Sequence, residues 1–398
     1  MAAFHLHLQT YSRMSDIPAE SWQTLADRES PLMQYDWLLQ LELSQSISPN
    51  TDWQPHHIAV YDEGNTMVAA APFYRRTHSS AGEFVFDFAW ADAAKQLALP
   101  YFPKLIGMSP ASPIPAFTIM VDTNWCSRCN TTEDEVRLWV LQQIQHAASD
   151  WGIASIHLQF SRPHMTELAR QQGFEAWSHA GFCWHNHGYE SWDDFLNMLS
   201  KDRRRNARRE RRKLRESGVE VRMMRGTEIP ESWIPCLYEM YRNTTDQFGP
   251  WAARFLTKEF FLRVREAAGS DLVFAAAFRD SEESPVGIAM LLTRGDELLG
   301  RYWGCREHIP YLHFECCYYA PIEWAIQNNL RIFDPGMGGE HKIHRGFAGT
   351  ENCSLHWFSD PRMQLLFEAN IHQFNAFTAR NLAEADAMSP LRKERLPQ

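Results

Sequence analysis

The stretch from Leu298 to Phe347, LLGRYWGCREHIPYLHFECCYYAPIEWAIQNNLRIFDPGMGGEHKIHRGF, restricts the fold more than any other part of the chain. An apolar strand, an aromatic helix and a second short strand run there into a loop carrying Glu340, His341, Lys342 and Arg345. In the first strand, period-two alternation puts Leu299, Arg301 and Trp303 on one face and Leu298, Gly300, Tyr302 and Gly304 on the other. A face of glycines lets a ligand or another backbone come close, and a bulge that bends the sheet explains the same residues equally well.

The aromatic helix is expected from Pro310 to Asn328, with a kink at Pro321. Glu315 has Tyr311, Leu312, Tyr318 and Tyr319 as its helical neighbours. A carboxylate in such company either has its pKa raised, as a general base requires, or is tied to a backbone amide or an arginine. After the strand from Leu330 to Phe333, the turn Asp334-Pro335-Gly336-Met337-Gly338-Gly339 lets backbone amides converge on an anion, although the spacing of a P-loop is absent. Glu340, His341, Lys342, His344 and Arg345 then bring a base, two imidazoles and two fixed cations within six residues. A solvated charged turn is the plain alternative.

The strings GRYWGC, LHFECCYY and GEHKIHRGF, followed by SLHW, resemble the FemAB-like group of predicted N-acyltransferases, also described as peptidoglycan biosynthesis or recognition proteins, within the GNAT superfamily. Upstream, WHNHGYESWDDFLNMLSKDRRRNARRERR, GEFVFDFAWADA and YFPK extend the resemblance over most of the chain. It implies an α/β fold with a mixed, α+β-like sheet, built from tandem GNAT-like (acyl-CoA N-acyltransferase) domains as in Fem-type ligases. The expected division is a first domain at 1–190 and a second at 191–398, the second holding a basic helix at 201–215 and the active cleft.

A length of 398 residues, with 44% hydrophobic and 22% charged, fits a globular protein of two or three domains. The start, MAAFHLHLQTYSR, lacks a basic region followed by an apolar run, and no apolar run nears the roughly 18 residues of a membrane span, so a cytoplasmic protein is expected. Eight cysteines in a chain of this length fit reduced thiols. No metal is expected, because Cys126 and Cys129 form a lone CxxC and His179, His185 and His187 lack a carboxylate or cysteine at matching spacing. Covalent catalysis has no support either, since the nucleophile-elbow string is missing.

In the first half, strands are expected at His5 to Tyr11, His56 to Tyr61, Met67 to Arg75, Glu83 to Trp90 and Gly152 to Phe160, with two more closing the unit near His187. Helices are expected at Ser30 to Leu43, Thr132 to Ser149 and Pro163 to Gln172. The second half repeats the order: the strand from Val219, helices at Glu231 to Gln247 and Thr257 to Ala268, three strands ending at Cys305, the aromatic helix, and the strand at Leu330. A strand at Ser354 to Phe358 and a helix from Pro361 close the chain.

Between the halves, KDRRRNARRERRKLR at 201–215 has ten basic and two acidic residues in a chain of net charge −10. On a helix, Lys201, Arg204, Arg205, Arg208, Arg211, Arg212 and Arg215 share one face, and like charges so placed repel unless anions neutralise them. The stripe fits a structural face docked on acidic residues or a site for one phosphorylated ligand, ahead of a polyanion such as tRNA, because a nucleic-acid binder is usually basic overall.

The family resemblance implies an N-acyltransferase of EC class 2.3 that moves an acyl or aminoacyl group from acyl-CoA or aminoacyl-tRNA to a small-molecule or peptide amine. The amine attacks directly, so the site needs a base, oxyanion donors and cations. The expected base is Glu340 or Glu315, with His341 as rival. Lys342 and Arg345 are expected on a carboxylate or phosphate, with Arg301 and His313 also at the substrate. The amides of Gly338 and Gly339, with Tyr302, would steady the developing charge, and Arg204, Arg205, Arg208 and Arg212 would anchor the anionic tail. The alternative is a catalytically silent GNAT-like protein that binds a peptidoglycan precursor, a nucleotide or tRNA. It is favoured by Arg306-Glu307-His308-Ile309-Pro310, which stands where a pyrophosphate-binding [RQ]xxGx[GA] motif would be.

Overall fold

The computed structural model describes residues 5–79, 81–247, 254–279 and 284–391, with the backbone alone at Ala81 and Glu340. The chain divides into two compact units, Met1–His179 with Asn352–Thr378, and Ala180–Glu351 with Ala379–Gln398. Neither unit is continuous in sequence. The expected division at 190 and 191 is linear, whereas these units exchange chain segments at 179/180, 351/352 and 378/379.

The strands of the first half are β1 (His7–Tyr11), β2 (Gln54–Pro55), β3 (His57–Tyr61), β4 (Met67–Ala71), β5 (Phe73–Arg76), β6 (Lys104–Gly107), β7 (Met120–Val121), β8 (Ser155–Leu158) and β9 (Glu175–His185). Those of the second half are β10 (Val219–Arg225), β11 (Leu272–Arg279), β12 (Gly287–Arg294), β13 (Glu297–Cys305), β14 (Ile332–Asp334) and β15 (Ala348–Phe358).

In the first unit, β1, β3, β4 and β7 form one antiparallel sheet. A second ladder runs β2, β5, β6 and β8, with β6 and β8 parallel, and Leu355–Phe358 of β15 pairs with β8. Two expectations change here. Pro72 breaks the strand from Met67 into β4 and β5, since proline donates no ladder hydrogen bond. The segment from Glu83 to Trp90 is a 3-10 turn and the start of a helix, Phe88–Gln96, instead of a strand. Its acids mimic an outward face, yet Glu83 and Asp87 turn inward and hold the ammonium of Lys104 at 2.6 and 2.7 Å. A buried cation needs such partners.

In the second unit the order is β10-β11-β12-β13-β14-β9. All pairs are antiparallel except β13 with β14. Strand β11, LVFAAAFR, is buried along all but its last residue, which explains its continuous apolar run. The helix α1 (Lys201–Glu216) lies before β10, docked through Ala207 and Leu214 and stopped at Gly218, whose φ of 77° suits the residue after a helix. Helix α2 (Ile234–Asp246) packs on β13.

The parallel pairing of β13 and β14 covers Glu297, Leu298 and Leu299 against Ile332, Phe333 and Asp334, and there it ends. Pro335 follows and offers no N–H, so the two strands part and leave a gap. In β13 the register jumps from Gly300, opposite Leu291, to Tyr302, opposite Met290, so Arg301 is an extra, bulged residue. The bulge overturns the expected shared face: Gly300 and Trp303 lie on one side, Tyr302 and Gly304 on the other. Both sequence readings of the glycines are therefore realised, and the approaching groups are the protein's own backbone. A Cβ on Gly300 would lie 3.0 Å from Pro335 Cα, and one on Gly304 would overlap the carbonyl of Met240 in α2.

The aromatic helix also differs. It is a short helix Leu312–Phe314, a π-helical turn Glu315–Tyr319, and the helix α3 (Ala320–Gln327). Pro321 sits in the first turn of α3, and its missing N–H coincides with the π turn, so the helix widens by one residue instead of kinking.

Candidate functional site

The gap between β13 and β14 opens into a cavity of about 550 Å³, entirely within the second unit. Its walls come from the bulge of β13 (Gly300 to Trp303), the π turn with the short helix before it (His313, Cys317, Tyr318) and the loop after β14 (Pro335, Met337 to Gly339, His341, Lys342). The π turn determines which side chains arrive. With an extra residue per turn, His313 and Tyr318 become neighbours five apart, their rings 5.3 Å from each other.

Tyr318 Oη lies 2.9 Å from His341 Nε2. Burial, with the charges of Arg345 and Lys342, holds the His341 imidazole below its usual range, and His313 is pushed down to about 4 by burial and by the same loop. Both rings are neutral at pH 7. Burial pushes the Tyr318 hydroxyl and the Cys317 thiol up, which keeps both protonated and leaves Cys317 a poor nucleophile.

Lys342 is buried, and its Nζ donates to the carbonyl of Gly336 at 2.5 Å. Burial lowers its pKa to about 8, against the opposing pull of Asp334. Asp334 is itself pushed up to about 6 by burial, while a hydrogen bond from the Gly336 amide at 2.8 Å and the charges of Lys342 and Arg301 favour its ionised form. Lys342 therefore presents a poorly solvated ammonium with two donors left for a ligand.

Gly338 and Gly339 line the cavity with φ of 81° and 88°, and a Cβ on Gly339 would meet the His341 ring at 2.5 Å. Arg301 also lines it, and its Nη2 donates to the Tyr302 hydroxyl at 3.1 Å. The Tyr302 ring stacks edge-on against Tyr241 of α2.

Other expected residues are placed elsewhere. Glu315 turns to the opposite side of the π turn, where Arg211 Nε contacts both of its oxygens at 3.0 Å and Arg211 Nη2 bonds Glu323 at 2.7 Å. The arginine-tied reading thus describes Glu315, which does not line the cavity. Arg345 points away as well: its guanidinium lies 3.4 Å over the Phe314 ring and bonds the His341 carbonyl and Glu210. The side chain of Glu340 lies outside the described residues.

On α1 the expected stripe is broken, because Arg211 faces inward. Arg204 bonds Asn197 at 2.7 Å, Arg205 pairs with Asp202 at 3.3 Å, Arg208 with Asp193 at 2.8 Å and Arg212 with Glu216 at 3.5 Å. Exposed pairs of this kind are worth about 0–1 kcal/mol and exchange readily for other anions. Lys201, Arg203, Arg209 and Lys213 make no ion pair among the described residues. Among those residues no group of three metal-ligating side chains occurs, and no helix is long and apolar enough to cross a membrane.

Sequence reasoning gave no site role to Tyr318, Asp334 or Glu210, and placed Arg211 only on the cationic stripe. An α-helical reading pairs Tyr318 with Glu315, and the inserted residue that separates them has no signature beyond the following Pro321.

The fold resembles that of FemX, with 12% identity, a TM-score of 0.54, and 89% of this chain and 98% of that one covered. It resembles L-PGS from Bacillus licheniformis at 10% identity and a TM-score of 0.50, over 89% and 97% of the two chains. A conserved protein of unknown function from Bacteroides thetaiotaomicron VPI-5482 is similar at 10% identity and a TM-score of 0.50, over 88% and 99%. No curated protein matches the sequence. The fold is mixed α/β, with the second unit in the order strand, helices, three strands, helix, strand around a splayed parallel pair. The FemAB-like family model, described as peptidoglycan biosynthesis/recognition, matches residues 13–393, and the chain belongs to that family.

Proposed function

We propose that the protein is an acyl- or aminoacyl-transferase that passes its group to an amine acceptor in the cavity between β13 and β14. The observation that carries this reading is the neutral Tyr318–His341 pair, 2.9 Å apart, beside a buried ammonium in a splayed strand gap. The amine attacks the ester or thioester carbonyl. As the C–N bond forms, its proton passes to Tyr318 Oη while the Tyr318 proton moves to His341 Nε2. The proton then returns to the leaving oxygen or sulfur as that bond breaks, so no covalent enzyme intermediate is needed. Lys342 and Arg301 hold the anionic part of a substrate, and the Gly338 and Gly339 backbone lies beside the reacting carbonyl. The base in this reading is His341, with Tyr318 as its relay, in place of Glu315.

The loop after β13 favours a tRNA-borne donor, as in Fem-type enzymes, over acyl-CoA: the Arg306 amide bonds the Val286 carbonyl at 2.9 Å and is not free to cradle a pyrophosphate. Both donors are cytoplasmic, and a peptidoglycan precursor is the acceptor that the family description favours. The exposed cations of α1 would take the phosphates of the donor or acceptor.

The test is to supply radiolabelled aminoacyl-tRNA and acetyl-CoA with peptidoglycan-precursor amines and to follow amide formation. His341→Ala and Tyr318→Phe are each expected to lower the rate by about 10²-fold or more. Wild-type protein that forms no amide from either donor, yet retains a precursor in equilibrium dialysis, would replace this reading with that of a silent binding protein.

A further inference from the structure

Two consecutive residues of the arginine-rich helix α1, Glu210 and Arg211, point into the second unit. Glu210 Oε2 accepts from the Tyr319 hydroxyl at 2.7 Å and from Arg345 Nη2 at 3.1 Å. Arg345 Nη1 in turn donates to the His341 carbonyl at 2.9 Å. Arg211 holds Glu315 at the start of the π turn and Glu323 in α3, with its guanidinium 4.7 Å from the Trp192 ring centre. One residue therefore grips the loop that carries His341, and the next grips the turn that carries Tyr318.

We propose that Glu210 and Arg211 are positioning residues, which brace the loop 340–345 against the π turn and so set the contact between Tyr318 and His341. Ala207 and Leu214 bury the apolar face of α1 in the core, so the helix has docking contacts besides the charged residues between them. Buried ion pairs add little net stability against apolar replacements, but their bonds are directional, and here they end on the two segments whose spacing matters. Both segments need an outside constraint: the loop is flanked by left-handed Gly338, Gly339 and Gly346, and a π turn is a costly variant of a helix. The proposal rests on the transferase reading for its catalytic meaning, while the brace is measurable without any reaction.

The experiment is a pH titration of the full chain labelled with 15N-histidine, with the His341 signal assigned by its loss in His341→Gln. The groups facing His341 are Lys342, His344 and Arg345 from its own loop, and His313 and Tyr318 from the facing turn. In Glu210→Gln and in Arg211→Lys the His341 midpoint is expected to rise by about 0.5 pH or more toward its ordinary value, as the ring gains water. The sign discriminates. Loss of the Glu210 charge alone would lower the midpoint, and Arg211→Lys changes no charge, so a rise in both reports geometry. Near-UV circular dichroism checks that each variant is folded, and if Glu210→Gln does not fold, Arg211→Lys decides. An unchanged or lowered midpoint in the folded variants overturns the brace. In a transfer assay the same variants are expected to lose kcat at constant KM. If wild-type protein forms no amide while the midpoints still rise in the variants, the transferase reading fails and the brace stands; if His341→Gln keeps full transfer, His341 is not the base.

Discussion

Lys342 and His341 are adjacent in sequence and titrate in opposite senses to a single effect. His341 must be neutral to accept a proton, and its depressed pKa places the acid limb of the rate profile below pH 6.5. Lys342 must be charged to hold an anion, and its pKa of about 8 places the alkaline limb there. A bell between these limits is expected in kcat/KM. Asp334 raises the Lys342 pKa, so Asp334→Asn is expected to move the alkaline limb to lower pH and leave the acid limb in place, read from the same profile. Lys342, His341, His313 and the glycines were legible because chemistry-bearing residues crowd one short loop and a helix beside it. Glu315 and Arg345 were misplaced because sequence spacing gives a neighbourhood and not a direction, and the partners that turn them away, Arg211 and Glu210, lie more than one hundred residues upstream.

At the level of elements, the strand and helix order of the second unit followed from apolar runs and glycine stops, while its two irregularities did not. The bulge at Arg301 and the π turn at Glu315–Tyr319 each insert one residue without changing local composition. Each is a length feature, and the π turn has a length test. Deleting Cys316 would restore α-helical geometry and rotate Tyr318 by about 100°, and is expected to abolish transfer in an enzyme that still melts cooperatively. Gly304 tests the close approach of α2 to β13: Gly304→Ala forces a methyl group against the Met240 carbonyl and is expected to cost roughly 1–3 kcal/mol in chemical denaturation, as overpacking does. A variant as stable as wild type would mean that α2 gives way freely there.

Across the whole molecule, the repeated element order and the family resemblance implied two units in succession, and the contacts assign 352–378 back to the first unit. Local patterns carry no information about such long-range pairing. In the first unit β8 takes Leu355–Phe358 as a strand partner, and Phe367 packs 4.6 Å from the Trp90 ring. Fragment 1–190 lacks both, so it is expected to show no cooperative thermal transition, whereas the full chain does. A sharp transition in the fragment would show that its own strands suffice. The same discontinuity sets a timetable during synthesis. The ribosome delivers the first 179 residues long before the segment that finishes their ladder, and the second unit in turn waits for residues beyond 378. Domains that usually settle one after another as they emerge are here left open until residues beyond 378 are made, so the strand edges of a long nascent chain stay unsatisfied through much of its synthesis.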